Sequence, residues 1–381
     1  MRRYLRIVVV LVLVLSAFAG VGKTPGAAQS MVPRAYLPLV MKSPPLSIYG
    51  IQAHAWNSPT FVLSLASDLG LTWVKQQVRW SEIEGSDNNY HWGATDQIAN
   101  AAQAAGLQVM YSVVAAPDWA RPGKTGNGPP DDYQDFADFM GAMAARYKGR
   151  VHAYEIWNEQ NLSREWEGVP LSAADYVQLL SGAYGAIKAA APDAIVVSGA
   201  MAPTGIVSSE AIDDRLFLTQ MYDAGLIGVC DAVGAHPYGF ANPPEIYYTG
   251  GDPDPDRGWD THPSFYFRNT LEDYYGTMTA RGDGHKQVWG TEFGWPTIDG
   301  MGVPVNDGYG YAADIDEQQQ ADYITGAYAW ASDWGHAGVL FLWNLNMWPE
   351  AGAENEMAKF GIVRGDWSHR PAYTALKAMP K

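Results

Sequence analysis

With 381 residues, a formal net charge of −16 and a pI near 4.8, the chain is ill suited to nucleic acid or an anionic membrane surface, whose phosphates repel it. Neutral polymers stay open as partners. The length admits one α/β barrel or two smaller domains, and the single cysteine, Cys230, excludes an intrachain disulfide, so stability must come from the core.

Arg2, Arg3 and Arg6 precede an apolar run over residues 7–15, followed by Ala17-Phe18-Ala19, a small-x-small cleavage pattern. Residues 1–19 therefore read as a secretory signal peptide, which makes the protein secreted or extracellular. An uncleaved amino-terminal anchor is the alternative, but the run is shorter than the ~20 residues of a spanning helix. No other stretch could span a bilayer. Residues 20–45 are rich in Gly, Ala, Pro and Ser and read as a linker, with an unexpectedly apolar segment at 35–41. Residues 46–381 then form the folded domain.

From there short apolar runs alternate with longer amphipathic ones. Residues 47–54 predict a first strand, and 61–69 a helix stopped by Gly70. A second strand spans 73–78, and the helix after it, 95–105, is closed by Gly106. The third strand is 108–114. Its helix, 132–147, sets Phe136, Met140, Met143 and Tyr147 on one face. The fourth strand, 151–156, leads into Trp157-Asn158-Glu159. Ser172-Ala173-Ala174-Asp175 resembles a capping box and opens a helix whose apolar stripe is Tyr176, Leu179, Leu180, Ala183 and Ile187. A fifth strand at 194–198 precedes a helix over 213–224, and a sixth at 232–235 runs into His236-Pro237-Tyr238. After a long loop, 265–281 is helical. The seventh strand, 287–291, delivers Glu292, and 316–334 is helical again. An eighth strand at 338–343 and a last helix at 371–379 complete the chain.

Eight strands, each followed by a helix, point to a (β/α)8 TIM barrel rather than an open doubly wound sheet. No glycine-rich phosphate fingerprint follows the first strand, which weakens a dinucleotide-binding alternative. His54, Arg79, Asn158, Glu159, His236, Tyr238, Glu292 and Asn344 all fall at or just after strand ends. In a barrel that is one face, where the loops converge. Two glutamates ending two strands suit glycoside hydrolysis, in which one carboxyl protonates the leaving oxygen and the other attacks or activates water. The 15 tryptophans and 22 tyrosines fit a sugar cleft, since aromatic faces stack on pyranose C–H faces, although many must be core.

On Trp157-Asn158-Glu159 after the fourth strand and Glu292 after the seventh, the chain resembles the clan A glycoside hydrolases, in particular those close to family 39 and less specifically family 5. The resemblance spans nearly everything from residue 47 to 381. It implies Glu159 as general acid/base, Glu292 as nucleophile and Asn158 as donor to the sugar 2-hydroxyl. Arg79 and Tyr238 would hold the nucleophile, Trp343 would floor the sugar subsite, and His54 and His236 would line it. The function it implies is retaining cleavage of β-O-glycosidic bonds in an oligo- or polysaccharide, a β-1,4-glycan or xyloside by preference.

Physical chemistry supports separate roles: a guanidinium and a phenol would keep the nucleophile ionised, and its charge would raise the carboxyl of the acid. Glu155, four residues before Glu159, should face the barrel interior and pair there. The ordinary alternatives are an ion-pair role for Arg79, a core histidine at His236 and barrel packing for Trp343. Trp119, Trp166, Trp259, Trp295 and Trp348 lie on loops at the same face and are candidates for outer subsites. Residues 251–256 are acidic but lack calcium-loop spacing, and no His or Cys cluster has zinc spacing, so no metal or cofactor is expected. Rival functions are a non-catalytic carbohydrate-binding barrel and a transglycosylase.

Overall fold

The computed structural model describes residues 47–255 and 258–381. The expected leader and linker lie outside these residues. Eight strands form one all-parallel sheet: β1 (Tyr49–Gln52), β2 (Trp73–Arg79), β3 (Gln108–Val114), β4 (Ala153–Ile156), β5 (Ile195–Ser198), β6 (Val233–Ala235), β7 (Val288–Phe293) and β8 (Ala337–Leu342). Their spatial order is β5-β4-β3-β2-β1-β8-β7-β6. The two ends of that order meet at an isolated parallel bridge between Val197 and Ala232, and Gly234 N–H donates to Ser198 Oγ at 3.1 Å. The ring so closed is a TIM barrel.

Each strand is followed by a helix: α1 (Pro59–Asp68), α2 (Gly93–Ala104), α3 (Tyr133–Tyr147), α4 (Ala173–Ala190), α5 (Asp214–Asp223), α6 (Phe267–Ala280), α7 (Glu317–Trp334) and α8 (Pro371–Ala378). Local chemistry starts them where the sequence predicts. Proline opens α1 and α8, where its missing N–H costs nothing. Ser172 accepts from Asp175 N at the start of α4, and Asp316 and Gln319 form a full capping box on α7.

Period-two alternation divides the buried side chains into two bodies. Outward-facing residues such as Val74, Tyr111, Tyr154 and Val196 pack under the helices. Inside the barrel, Trp73, Met110, Ala153, Val197, Trp289 and Phe341 form an apolar floor. Two residues further along their strands come Lys75, Ser112, Glu155 and Thr291, all wholly buried and all polar. The floor seals the lower end, so this polar layer can look only upward to the mouth.

The structure adds elements too short to show a hydrophobic period. A helical turn at Trp80–Ile83 leads into a hairpin of Glu84–Ser86 with Asn89–Tyr90, and another turn forms at Met347–Ala351. β7 also runs two residues past its predicted end. Phe293 pairs with Leu342 across a register shift and packs on Phe267 and Tyr328, which makes Glu292 a strand residue with a fixed backbone. No helix among the described residues is long and apolar enough to cross a membrane.

At the β5/β6 seam a Cβ on Gly234 would lie 2.2 Å from the Ser198 carbonyl oxygen, a backbone atom with no room to retreat. Gly234→Ala should therefore cost about 1–3 kcal/mol, the range for overpacking a close-fitted core. Urea unfolding monitored by far-UV circular dichroism checks this, and an unchanged midpoint would mean that the seam is looser than drawn.

Candidate active site

Glu159 lies three residues beyond β4 on a turn built from left-handed backbone, with φ 73° at Trp157 and 46° at Glu159. Such conformations cost about 1–3 kcal/mol each in non-glycine residues and persist only when their surroundings enforce them. Here Trp157 is wholly buried with its Nε1 donating to Glu165 O at 2.8 Å, and Glu159 N donates to Ala200 O at 2.8 Å. The turn carries the Glu159 carboxyl to His236, which follows β6. Nδ1 of His236 stands 3.1 Å from Glu159 Oε1 and 3.9 Å from Glu292 Oε2. One imidazole nitrogen thus faces both glutamates, and their oxygens can be no further apart than those two distances laid end to end.

Glu292 is gripped from two sides. Tyr238 donates its hydroxyl to Oε2 at 2.9 Å, and Lys75 Nζ reaches Oε1 at 3.1 Å and the Thr291 carbonyl at 3.1 Å. Lys75 also pairs with Glu155 Oε2 at 2.9 Å inside the barrel, both side chains fully shielded from solvent. Burial pulls the Lys75 ammonium down, yet Glu155 and Glu292 together hold it above its ordinary value. Burial likewise pushes Glu155 up, and Lys75, then His236, bring it below the usual carboxylate range. The interior pairing expected for Glu155 is therefore present.

Arg79 is not where the sequence reading put it. Its guanidinium donates to Asn127 at 2.7 Å and lies 3.7 Å from Glu82, with a side chain 41% exposed. The cation on Glu292 is Lys75, four residues earlier on the same strand. Strand alternation puts Lys75 and Arg79 on the same face as Trp73, and the available signal was depth: a lysine in the middle of a strand is buried and needs a buried partner.

The expectation for Glu159 is also reversed in the free protein. Burial pushes its carboxyl up, but the hydrogen bond and charge of His236, and then the Arg164 guanidinium 3.0 Å from Oε2, bring it down to about 2. His236, which burial would lower, is raised by Glu292 and Glu159. Sequence reasoning missed Arg164 because a charged residue on a loop, five positions past Glu159, reads as solvated. Beside it Glu165 is pushed up to about 7, first by burial and then by the charge of Glu159.

The remaining predicted residues surround this centre. Asn158 is nearly buried, and its Oδ1 has no partner among the described residues. Burial lowers His54 to about 4, so its ring is neutral; the ring stands edge-on to Trp343, centroids 5.7 Å apart. Trp343 is 8% exposed and is joined to Asn344 by a cis peptide. Of the outer tryptophans, Trp166 and Trp295 are wholly buried and cannot line subsites. Trp119 packs edge-on against Trp80, Trp259 stacks on Phe240 and Trp348 lies under Arg370. Among the described residues no group of three or more His, Cys, Asp or Glu converges as a metal site.

Comparison with known proteins bears on the fold and the family. The cellulase family, glycosyl hydrolase family 5, matches residues 41–226 and so ends just before β6. The endo-1,4-beta-xylanase 1 of Gibberella zeae is 27% identical over 104 residues, 26% of this chain and 29% of the xylanase. A family 39 glycoside hydrolase from Bacteroides cellulosilyticus WH2 superposes with a TM-score of 0.66 at 20% identity, over 87% of this chain and 62% of that one. Xylanase 10B of Thermotoga maritima does so at 0.56 and 16%, over 87% and 93%. This chain therefore spans under a third of the curated relative and less than two thirds of the family 39 structure. The structural likeness carries the barrel fold, and the matches together support the resemblance to clan A glycoside hydrolases.

Two measurements probe the site's electrostatics. Lys75→Met leaves Glu155 and Glu292 buried without their cation, which should cost about 3–5 kcal/mol in denaturant unfolding near neutral pH. A loss below about 1 kcal/mol would mean that water reaches the polar layer. The second concerns acid. Because the Glu159 carboxyl is lower in the fold than its ordinary 4.5, it stabilises the protein above that pH, and the contribution drains away as the pH falls toward 2. Glu159→Gln should thus flatten the loss of stability between about pH 5 and about pH 2.5 by on the order of 2–3 kcal/mol. Parallel acid limbs in the two proteins would contradict the pairing.

Proposed function

We propose that this chain is a retaining glycoside hydrolase that cleaves β-O-glycosidic bonds by double displacement, with Glu292 as nucleophile and Glu159 as general acid/base. The observation that carries the reading is the pair of carboxylates facing one imidazole nitrogen at a barrel mouth, each in different surroundings. Glu292 has a fixed cation, a phenol donor and a strand backbone, which suits a group that must stay ionised and aimed at an anomeric carbon. Tyr238, whose phenol burial and Glu292 hold well above its ordinary value, stays a neutral donor. Glu159 stands on a loop and is reached from solvent, which suits a group that exchanges protons with a leaving oxygen and then with water. The close approach of both carboxylates to His236 favours the ~5–5.5 Å spacing of retaining enzymes over the ~6.5–9.5 Å of inverting ones.

In the first step Glu292 attacks the anomeric carbon while Glu159 gives its proton to the departing oxygen, and a covalent glycosyl-enzyme forms. In the second Glu159 takes a proton from water, which displaces Glu292. Asn158, with a buried oxygen left to accept, suits a sugar hydroxyl beside the reacting carbon, and Trp343 with His54 makes an aromatic and neutral floor. The cation on the nucleophile is Lys75 in place of the Arg79 named from the sequence. A β-1,4-linked glycan or xyloside is the preferred substrate because the matched proteins include xylanases. Export, as the leader indicates, would bring the enzyme to such a polymer.

Reducing-end release from a panel of β-glucans, xylans and mannans tests the activity. Binding without release would favour a non-catalytic barrel, and lengthened oligosaccharides a transglycosylase. The division of labour is tested by two variants. Glu292→Ala should lose nearly all activity on every substrate, whereas Glu159→Ala should lose ~10²–10⁴-fold on a glycoside with a poor leaving group and far less on an activated aryl glycoside. Added azide should yield a β-azide with Glu159→Ala and an α-azide with Glu292→Ala. The opposite pair of products would exchange the two roles.

A further inference from the structure

Both oxygens of the Glu159 carboxyl are occupied in the free protein. Oε1 faces His236 Nδ1 at 3.1 Å, and Oε2 accepts from Arg164 Nη2 at 3.0 Å. A cation on Oε2 favours the ionised carboxylate and covers the oxygen that faces outward, so an acid step is easier once that contact opens. The His236 side chain is wholly buried between Glu159 and Glu292 and follows a strand end, which leaves it nowhere to go. The Arg164 side chain is 65% exposed, on a loop. Its Nε already lies 4.0 Å from Glu165 Oε1, on a carboxylate only 20% exposed. The Arg164 guanidinium therefore stands between two carboxylates and holds the outer face of one of them.

We propose that Arg164 is a displaceable latch on Glu159: it covers Oε2 while the cleft is empty and swings to Glu165 when the leaving-group side of a glycan enters, freeing Oε2 for the glycosidic oxygen. The inference rests on the acid/base role given to Glu159 above and extends it to two positioning residues, Arg164 and Glu165. When the cation leaves, Glu159 binds a proton more readily, and when it arrives, Glu165 gives one up more readily, so the change favours a proton on the first carboxyl at the expense of the second. Burial, which keeps the Glu165 carboxyl up near 7 while the latch is on Glu159, makes that release possible near neutral pH.

Other groups also act on Glu159 and stay fixed during the swing. His236 comes from the end of β6, Glu292 from β7 with Lys75 of β2 behind it, Tyr238 from the loop after β6, and Tyr309 and Tyr311 from the loop after β7. Arg79 of β2 acts on Glu165. Among the described residues, only Arg164 is both in contact with Glu159 and largely exposed.

Carbon-13 NMR titration of carboxyl-labelled glutamates, with Glu159 identified by its loss in Glu159→Gln, reads the latch without turnover. Arg164→Gln should raise the Glu159 midpoint by about one pH unit, a tenfold gain in proton affinity, and Arg164→Lys should restore most of the wild-type value. Kinetics on phenyl and 2,4-dinitrophenyl β-xylobioside, or the same aryl pair on the sugar the panel identifies, give the second readout. With Arg164→Gln the alkaline limb of kcat/KM should move up by about one unit on the phenyl glycoside and stay in place on the dinitrophenyl one, which leaves without a proton. Glu165→Gln removes the landing site and should lower kcat/KM on the phenyl glycoside several-fold, with the Glu159 titration of the empty protein retained. An active wild type whose Glu159 titrates identically in Arg164→Gln would overturn the latch, as would a Glu165→Gln enzyme with unaltered kcat/KM. A wild type that turns over no glycoside would instead undo the acid/base role, whatever the titration shows.

Discussion

The ammonium of Lys75, enclosed in the barrel between Glu155 and Glu292, is the contact from which the rest of the site follows. An isolated charge in such a place would lose its proton, because desolvation outweighs any single attraction. Two carboxylates and a carbonyl keep it charged. The count then matters: two anions share one cation, so one negative charge is left over, and the apolar floor of Trp73, Trp289 and Phe341 below leaves it only the mouth to face. Glu292 carries that surplus upward, held by Tyr238 and answered by His236.

This arrangement separates two chemically identical side chains. Glu292 meets a buried ammonium, a buried imidazole and a partly buried phenol. Glu159 meets one buried group, His236, and one exposed one, Arg164, so it is the half of the pair that solvent and ligand can reach. His236 belongs to both halves. Its single nitrogen near two carboxylates couples their protonation, so a titration of the site reports on the pair before it reports on either residue.

The barrel was legible because its signals are periodic and repeated. Gln108–Val114 and the α4 start at Ser172 came straight from apolar runs and capping chemistry. The strand-end glutamates, Asn158, His236 and Tyr238 were legible for a related reason, since polar residues at the end of a buried strand have few structural excuses. What failed was pairing. Arg79 is nearer the mouth in sequence and was assigned to Glu292, but its side chain ends on Asn127 while Lys75, deeper on β2, makes the contact. Which charge reaches which depends on depth along the barrel axis, and a linear reading does not carry that coordinate. The same limit hid Arg164, whose importance comes from the backward turn at Trp157 and Glu159, and it left Trp166 and Trp295 as subsite candidates when both are core.

The seam between β5 and β6 has a consequence of a different kind. Strand pairing is sparse there, one isolated bridge where the other neighbours share three or more registered residues. Yet the mouth above is crossed by side chains: Glu159 from the β4 side meets His236 from the β6 side. A sugar seated between them would add further bonds across the same gap, and would act as a hoop around a barrel whose staves are least joined at that point. Occupancy and melting would then be linked, with each tenfold rise in ligand above its dissociation constant adding about 1.4 kcal/mol to the closed state. A barrel built in this way is hardest to unfold when it is at work.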